Sequence, residues 1–598
     1  MRFIWLTIPL ALSLTACELL AGYGSATARD TSALHDGGWD GNLPFDGRTF
    51  DASSVNDGFV MDGEPSVDAS FLDSALDGLL LDGLLLDGLL RDSTLQPSDV
   101  AQPPDVAQPP DVAQPPDVAQ PTPDATLPAD LPPPDVTVDV TLPPDVTVDV
   151  TLPPDVALLA DLPPPDVSVD AAPLPTSHVF SISVGAKAND NVNAVAMDPA
   201  GNIYVTGSFE RTVDFGGKSL SSANNFEDIF VARYDATGTL SWVKRFGGEG
   251  ADQGNGIAVD SDNNLYIGGG IATDVAFDSD TSVSCSGGGY DGFLLSLDGG
   301  GGDVRWAKGV SSTGPDMVWS VATGGGVVSA VGQVSDGVDF GKGSQTTEYV
   351  DGFVARYQAT DGALLSSVIF MGAGANDVSY ATATDSLGNV FAGARFETSV
   401  TVLGQRLAGN KNEGLIVSLD PRGGLAWALP VGGADDDHVM SLALDGSTLY
   451  AAGEVSIDTP ARRGFVKALD AHTGKDIWTD MQYLDGSGAK SPWALCAAGG
   501  LYALAGLFDG ELSWGSDQVT FAGGDDIYLA MGMSAGGAPM SLSLQRWGNT
   551  PHEFANGLAC NASGRLAMVG STSSSLTFGS SPLPWEGKTD GFIVVFSP

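Results

Sequence analysis

The chain has 598 residues, with 26 Lys and Arg against 75 Asp and Glu, for a formal net charge of −49. Such an acidic balance excludes a nucleic-acid partner, because binding phosphate needs clustered Lys and Arg. Four cysteines exclude a disulfide scaffold, and 78 glycines without a three-residue period exclude a collagen-like rod.

The chain opens with Met1 and Arg2, followed by a mostly apolar run over residues 3–16. One positive charge before about 14 apolar residues fits a secretory signal. The run is short for a membrane span, which needs about 20 residues. It ends Leu14-Thr15-Ala16-Cys17, which resembles the lipobox of bacterial lipoproteins. The resemblance implies that residues 1–16 are a signal peptide and that Cys17 is lipidated and begins the mature chain. The lipidated Cys17 would then hold the protein on a bacterial cell-envelope membrane. Position 18 is Glu rather than the Asp that marks inner-membrane retention in some of these proteins, which points to the outer membrane.

Residues 17–177 form the second region. Between Glu18 and Ser177 there are 29 acidic and 3 basic residues. Asp-Gly-Leu-Leu-Leu units give way to Asp-Val-Ala-Gln-Pro-Pro units and then to Leu-Pro-Pro-Asp-Val-Thr-Val-Asp-Val-Thr units. Frequent proline removes donors and fixes φ, and like charges along the chain repel. The region reads as a disordered tether with polyproline-II character in its second half. The Asp-Gly spacing lacks the Asp-x-Asp-x-Asp-Gly pattern of a calcium loop.

Residues 178–598 hold seven copies of one unit. In each, a short apolar strand, a turn with Gly or Asn and a second apolar strand lead to a closing position at 207, 269, 332, 394, 453, 506 and 570. A third strand opens on an acid or Gly, as in Asp228-Ile229-Phe230-Val231-Ala232. A fourth often opens on Trp, as in Trp242-Val243-Lys244. Four short strands in about 60 residues cannot bury both faces of their own sheet, so the units must pack face to face around an axis. The seventh copy stops at Pro598 without a fourth strand, and an orphan strand, residues 180–185, precedes the first. The expected fold is therefore all-β, a seven-bladed propeller in which strand 180–185 completes the last blade. The run from Gly201 through Trp242 to Gly248 resembles the bacterial β-propeller repeat called SBBP, which implies a secreted or surface propeller and brings no catalytic residues. Copy five, with Asp470-Ala471-His472-Thr473-Gly474-Lys475-Asp476-Ile477-Trp478, is similar to the repeat of pyrroloquinoline-quinone propellers, although the adjacent Cys pair of the quinoprotein alcohol dehydrogenases is absent.

The recurrent acids Asp228, Asp291, Asp351, Asp526 and Asp590 read as turn caps that accept backbone N–H groups. The recurrent Trp reads as blade packing. His178, His438, His472 and His552 are scattered, with no zinc spacing. Cys496 and Cys560 each precede their closing Gly by ten residues. Equivalent positions in adjacent blades are expected to lie too far apart for a disulfide, leaving both as small buried residues. Cys285 lies in a Ser- and Gly-rich loop. No catalytic, cofactor or metal site is expected. The sequence reads as a monomeric, lipid-anchored binding or scaffolding module for a protein or glycan. A quinoprotein, a glycan-cleaving enzyme and an outer-membrane assembly scaffold are the alternatives.

Overall fold

The computed structural model describes residues 174–598 apart from 286–288, 348, 373–376, 434–435, 457–461, 536–537 and 550–551. The signal peptide, Cys17 and almost all of the tether lie outside the described residues.

Among the described residues, five four-stranded antiparallel sheets and one eight-stranded sheet that joins two four-stranded units make up seven blades, with five two-stranded hairpins beside them. Blade one is Asp190–Met197, Ile203–Glu210, Glu227–Tyr234 and Leu240–Phe246. The first strands of the other six are Asp252–Val259, Met317–Gly324, Val378–Thr384, His438–Asp445, Lys490–Ala498 and Glu553–Cys560. Each first strand touches the first strands of both neighbouring blades, and the seventh touches the first, so they form a closed inner ring. Blade five departs slightly from expectation: its fourth strand is the short Gln482–Leu484, and Trp478 precedes it. In blade four the long second strand, Val390–Val402, also pairs with the end of blade three through Met371 and Gly372.

The hydrophobic core is divided into seven layers, one between each pair of adjacent blades. Successive side chains of a strand point to opposite faces of its sheet. Thus Phe230 and Ala232 of blade one pack toward blade seven, while Ile229 and Val231 pack toward blade two. Burial on both faces is why the third strands read as continuous apolar runs.

Ring closure follows the expected route. Ser177–Val184 pairs antiparallel with Asp590–Ser597, placing Ile182 opposite Ile593 and Val184 opposite Gly591. This strand repeats the pattern of the other fourth strands. The Trp242 and Trp306 rings lie against Gly302 and Gly362 of the next blade, each at positive φ, and Phe180 lies in the same way against Gly238. Val184 is fully buried in the layer between blades seven and one. Deleting 177–184 removes one strand of blade seven and exposes the edge of Asp590–Ser597, a template for another chain. The deletion should lower the melting temperature well below that of the intact chain and promote aggregation. Cysteines at Ser181 and Val594, which lie directly opposite, should crosslink within one molecule. A silent deletion without a crosslink would refute this closure.

Candidate functional site

Each first strand carries an extra residue that breaks the pairing register with the second strand, at Asn193, Asn255, Trp319, Tyr380, Met440 and Asn556. In blade six the irregularity spans Pro492 and Trp493. The bulge drives a first-strand carbonyl against the closing position of the second strand. A Cβ on Gly207 would lie 1.9 Å from the Asn191 carbonyl oxygen, and one on Gly453 would lie 1.9 Å from that of His438. This contact is the physical reason for the recurrent closing glycine, which blade four replaces with Ala394.

Asn193, Asn255, Trp319, Tyr380, Met440, Trp493 and Asn556 are all half-buried and together line the centre of the ring. Its two halves differ. On blades seven, one and two, Asn556, Asn193 and Asn255 each donate to a carbonyl of the next blade, those of Val192, Gly254 and Val318, at 3.2, 3.0 and 3.3 Å. On blades three to six the same positions hold Trp319, Tyr380, Met440 and Trp493.

Two buried carboxylates meet at most blade junctions. Three of the five third-strand acids cap as expected, and Asp351 accepts a longer bond from the Gly372 N–H at 3.4 Å. Asp228, Asp526 and Asp590 accept the backbone N–H groups of Ala223, Ala522 and Glu586 at 2.7, 2.7 and 2.8 Å. Arg245 and Arg546 also pair with Asp228 and Asp526. A second acid, at the start of the first strand, was not singled out from the sequence. Asp190 accepts from Ala186 and Glu210, Asp252 from Gly248 and Ala272, and Asp437 from Gly433 and Ser456, at 2.6–3.0 Å. Each therefore ties the loop entering its blade to the end of the second strand. Its sequence signal is an acid 16 or 17 residues before the closing position in every copy except the sixth, which has Lys490.

Burial, with a further contribution from the neighbouring acid, pushes these carboxyls up: Asp190 to about 7, Asp316 to about 7 and Asp377 to about 8. Burial likewise raises Asp590 to about 6. The folded ring thus holds protons that the unfolded chain has released above about pH 4. Each contribution is whole below that pH and is lost as pH rises through the folded value. The domain should therefore melt at a higher temperature at pH 5.5 than at pH 8. Asp590 Oδ2 accepts the Glu586 N–H, while its buried Oδ1 has no partner. Asp590→Asn should keep that hydrogen bond, remove one of the ionisable groups and reduce the pH dependence of melting without abolishing it; an unchanged profile would contradict it.

The cysteines correct one expectation. Cys496 and Cys560 form a disulfide with a Cα separation of 5.8 Å. Both sit on first strands, which touch from blade to blade near the axis even though the outer strands of the same blades diverge. A link closing a loop of this length is worth about 2–4 kcal/mol. Reduction, or Cys560→Ser, should lower the melting temperature by several degrees, and an unchanged value would argue against the link.

The recurrent Trp is blade packing. Nε1 of Trp242, Trp306 and Trp427 donates to the carbonyls of Gly299, Ala359 and Ala471 on the next blade at 3.1, 3.2 and 3.1 Å. The histidines are dispersed. His178 lies in the closing strand, His472 in a blade-five turn and His552 beside Asp525, its Nδ1 2.8 Å from the carboxylate. His438 lies in the inner ring, with Nε2 3.5 Å from Arg395 Nη1.

A family model described as a beta-propeller repeat, SBBP, matches residues 241–270. The match covers 30 residues, and the described chain folds as a β-propeller. The regulatory protein FlaEY of Caulobacter vibrioides is 30% identical over 119 residues, which are 19% of this chain and 12% of that protein. The Dos1 propeller has 11% identity and a TM-score of 0.37, over 71% of this chain and 96% of that one. Sqt1 of Chaetomium thermophilum has 14% identity and a TM-score of 0.37, over 71% of this chain and all of that one. Quinohemoprotein alcohol dehydrogenase of Comamonas testosteroni has 12% identity and a TM-score of 0.36, over 70% and 76% of the two chains. The propeller described above rests on its own strand pairing and not on these low-scoring likenesses.

Proposed function

We propose that the propeller is a binding module for a protein or glycan of the bacterial envelope, held at the membrane by the lipidated Cys17 and spaced from it by residues 18–177. The observation that carries this reading is a set of exposed aromatic side chains at one end of the ring. Phe226, Tyr349, Phe521 and Trp585 are 39–53% exposed. Each lies on the connection between the second and third strands of a different blade, at the end where the first strands begin. Large aromatics held in water by a rigid scaffold supply binding area at low ordering cost. The disulfide between Cys496 and Cys560 supports an exported location, because such bonds persist in oxidising compartments.

The test uses the full chain as bait on intact envelopes, followed by crosslinking and identification of the captured molecule. Phe226→Ala with Trp585→Ala should weaken capture about tenfold or more, the effect of losing central aromatic contacts, and leave the melting temperature unchanged. Cys17→Ser should abolish palmitate labelling and membrane retention. Undiminished capture by the aromatic variant, or normal labelling of the Cys17 variant, would overturn the corresponding half of the proposal.

A further inference from the structure

Because the blades repeat, each position has six counterparts against which to judge it. On the second strand, beside the closing position, the blades carry Ser208, Gly270, Gln333, Arg395, Glu454, Leu507 and Ser571. The basic residue is Arg395. It is 3% exposed. Its Nη1 faces His438 at 3.5 Å, and its buried Nε has no hydrogen-bond partner. Asp377 is near enough for the two charges to influence each other, but no hydrogen bond joins them. Burial, reinforced by Arg395 and Arg462, holds His438 down at about 3, so it is neutral and offers Arg395 no countercharge. Burial raises Asp377 to about 8, so it too is largely uncharged at neutral pH.

Arg462, the second guanidinium of this region, is engaged by Glu454 at 3.2 Å and Asp436 at 2.8 Å. Glu454 also accepts from Ser491 Oγ, and Asp436 accepts from Asn412 at 2.8 Å. Among the described residues no hydrogen bond or ion pair joins Arg395 to a carboxylate, although Asp377, whose buried Oδ2 has no partner, lies close enough to influence it. A buried charge without a partner is costly, and a bound carboxylate removes that cost through two parallel hydrogen bonds.

Arg395 lies on the second strand of blade four, in the half of the ring whose first strands carry Trp319, Tyr380, Met440 and Trp493. The Tyr380 ring is centred 6.2 Å from that of His438. Trp493 Nε1 is a second buried donor without a partner. We propose that this half of the opening binds a sugar bearing a single carboxylate, a uronic acid, with Arg395 on the carboxylate and the half-buried aromatic rings against the flat C–H faces of the pyranose. The aromatic lining favours a sugar over a bare anion. The acidic excess of the domain, 46 acidic residues against 22 basic from His178 to Pro598, disfavours a long polyanion and suits one carboxylate on an otherwise neutral chain. This inference rests on the binding-module reading and narrows its ligand.

The experiment titrates the full chain with a glucuronic acid-terminated disaccharide. Tryptophan fluorescence and calorimetry provide the readouts, and the matching neutral disaccharide, acetate, inorganic phosphate and an N-acetylated dipeptide with a free carboxylate serve as controls. The acidic disaccharide should bind saturably and at least about tenfold tighter than each control, as expected for a charge-assisted pair combined with ring stacking. Arg395→Gln should weaken binding at least tenfold, and Tyr380→Ala should weaken the acidic sugar while leaving acetate unchanged. Asn193→Ala, on the opposite half of the opening, should leave binding within twofold. If Arg395→Gln does not fold, Tyr380→Ala and the comparison of ligands decide the question. No saturable binding, equal binding of the dipeptide or phosphate, or indifference to Tyr380→Ala would overturn the proposal. Envelope capture that still depends on Phe226 and Trp585 would then leave the broader function standing.

Discussion

Burial of both faces of every blade is the constraint on which the structure depends. No single sheet of about 60 residues can meet it, and a row of sheets would leave two faces wet. Only a ring closes the account of apolar surface, and it closes through the pairing of Ser177–Val184 with Asp590–Ser597. That pairing joins the two ends of the domain and puts Val184 in the same layer as Val195, Val205 and Phe230 of blade one. The layers between the other blades are built alike, so the seam at the chain ends resembles an ordinary junction.

The motifs of the repeat follow from how closely the blades approach. In blades one, six and seven the glycine after the fourth strand packs on the acid that opens the third: a Cβ on Gly247 would lie 2.1 Å from Asp228 Oδ1, and one on Gly185 would lie 2.6 Å from Asp590 Oδ1, whereas Gly372 and Gly432 pack on the first-strand acids Asp377 and Asp437. The Phe-Gly-Gly signature therefore leaves room for a carboxylate at the junction. The carboxylates in turn satisfy loop N–H groups that have no strand partner, at the cost of burying acids beside acids. The cost appears as raised pKa values rather than as strain, because a carboxyl that cannot be solvated keeps its proton.

Repetition also separates scaffold from specialisation. The Asn556, Asn193 and Asn255 positions bridge adjacent blades and read as scaffold. Their counterparts Trp319, Tyr380, Met440 and Trp493 do not follow that pattern, and Arg395 and His438 break the pattern in the same half of the ring. The exposed aromatics Phe226, Tyr349, Phe521 and Trp585 lie at the end of the ring where these first strands begin.

The sequence by itself determined the seven copies, the strand nature of each, the missing fourth strand and its replacement near residues 180–185. These are local: alternation, turn glycines and a recurrent spacing are written into neighbouring residues. It also showed the third-strand acids as caps, since a carboxylate before a strand has few other roles. Only the tertiary structure decided which residues meet across blades. Cys496 and Cys560 are bonded because first strands converge on the axis, and strand spacing read along the chain carries no information about that convergence. Asp190 and Asp590 are 400 residues apart yet share a junction, by virtue of closure alone. Arg395 looks like any strand-end arginine until the ring buries it beside a neutral histidine. Distances across blades depend on how the ring closes, and that is a property of all seven copies together.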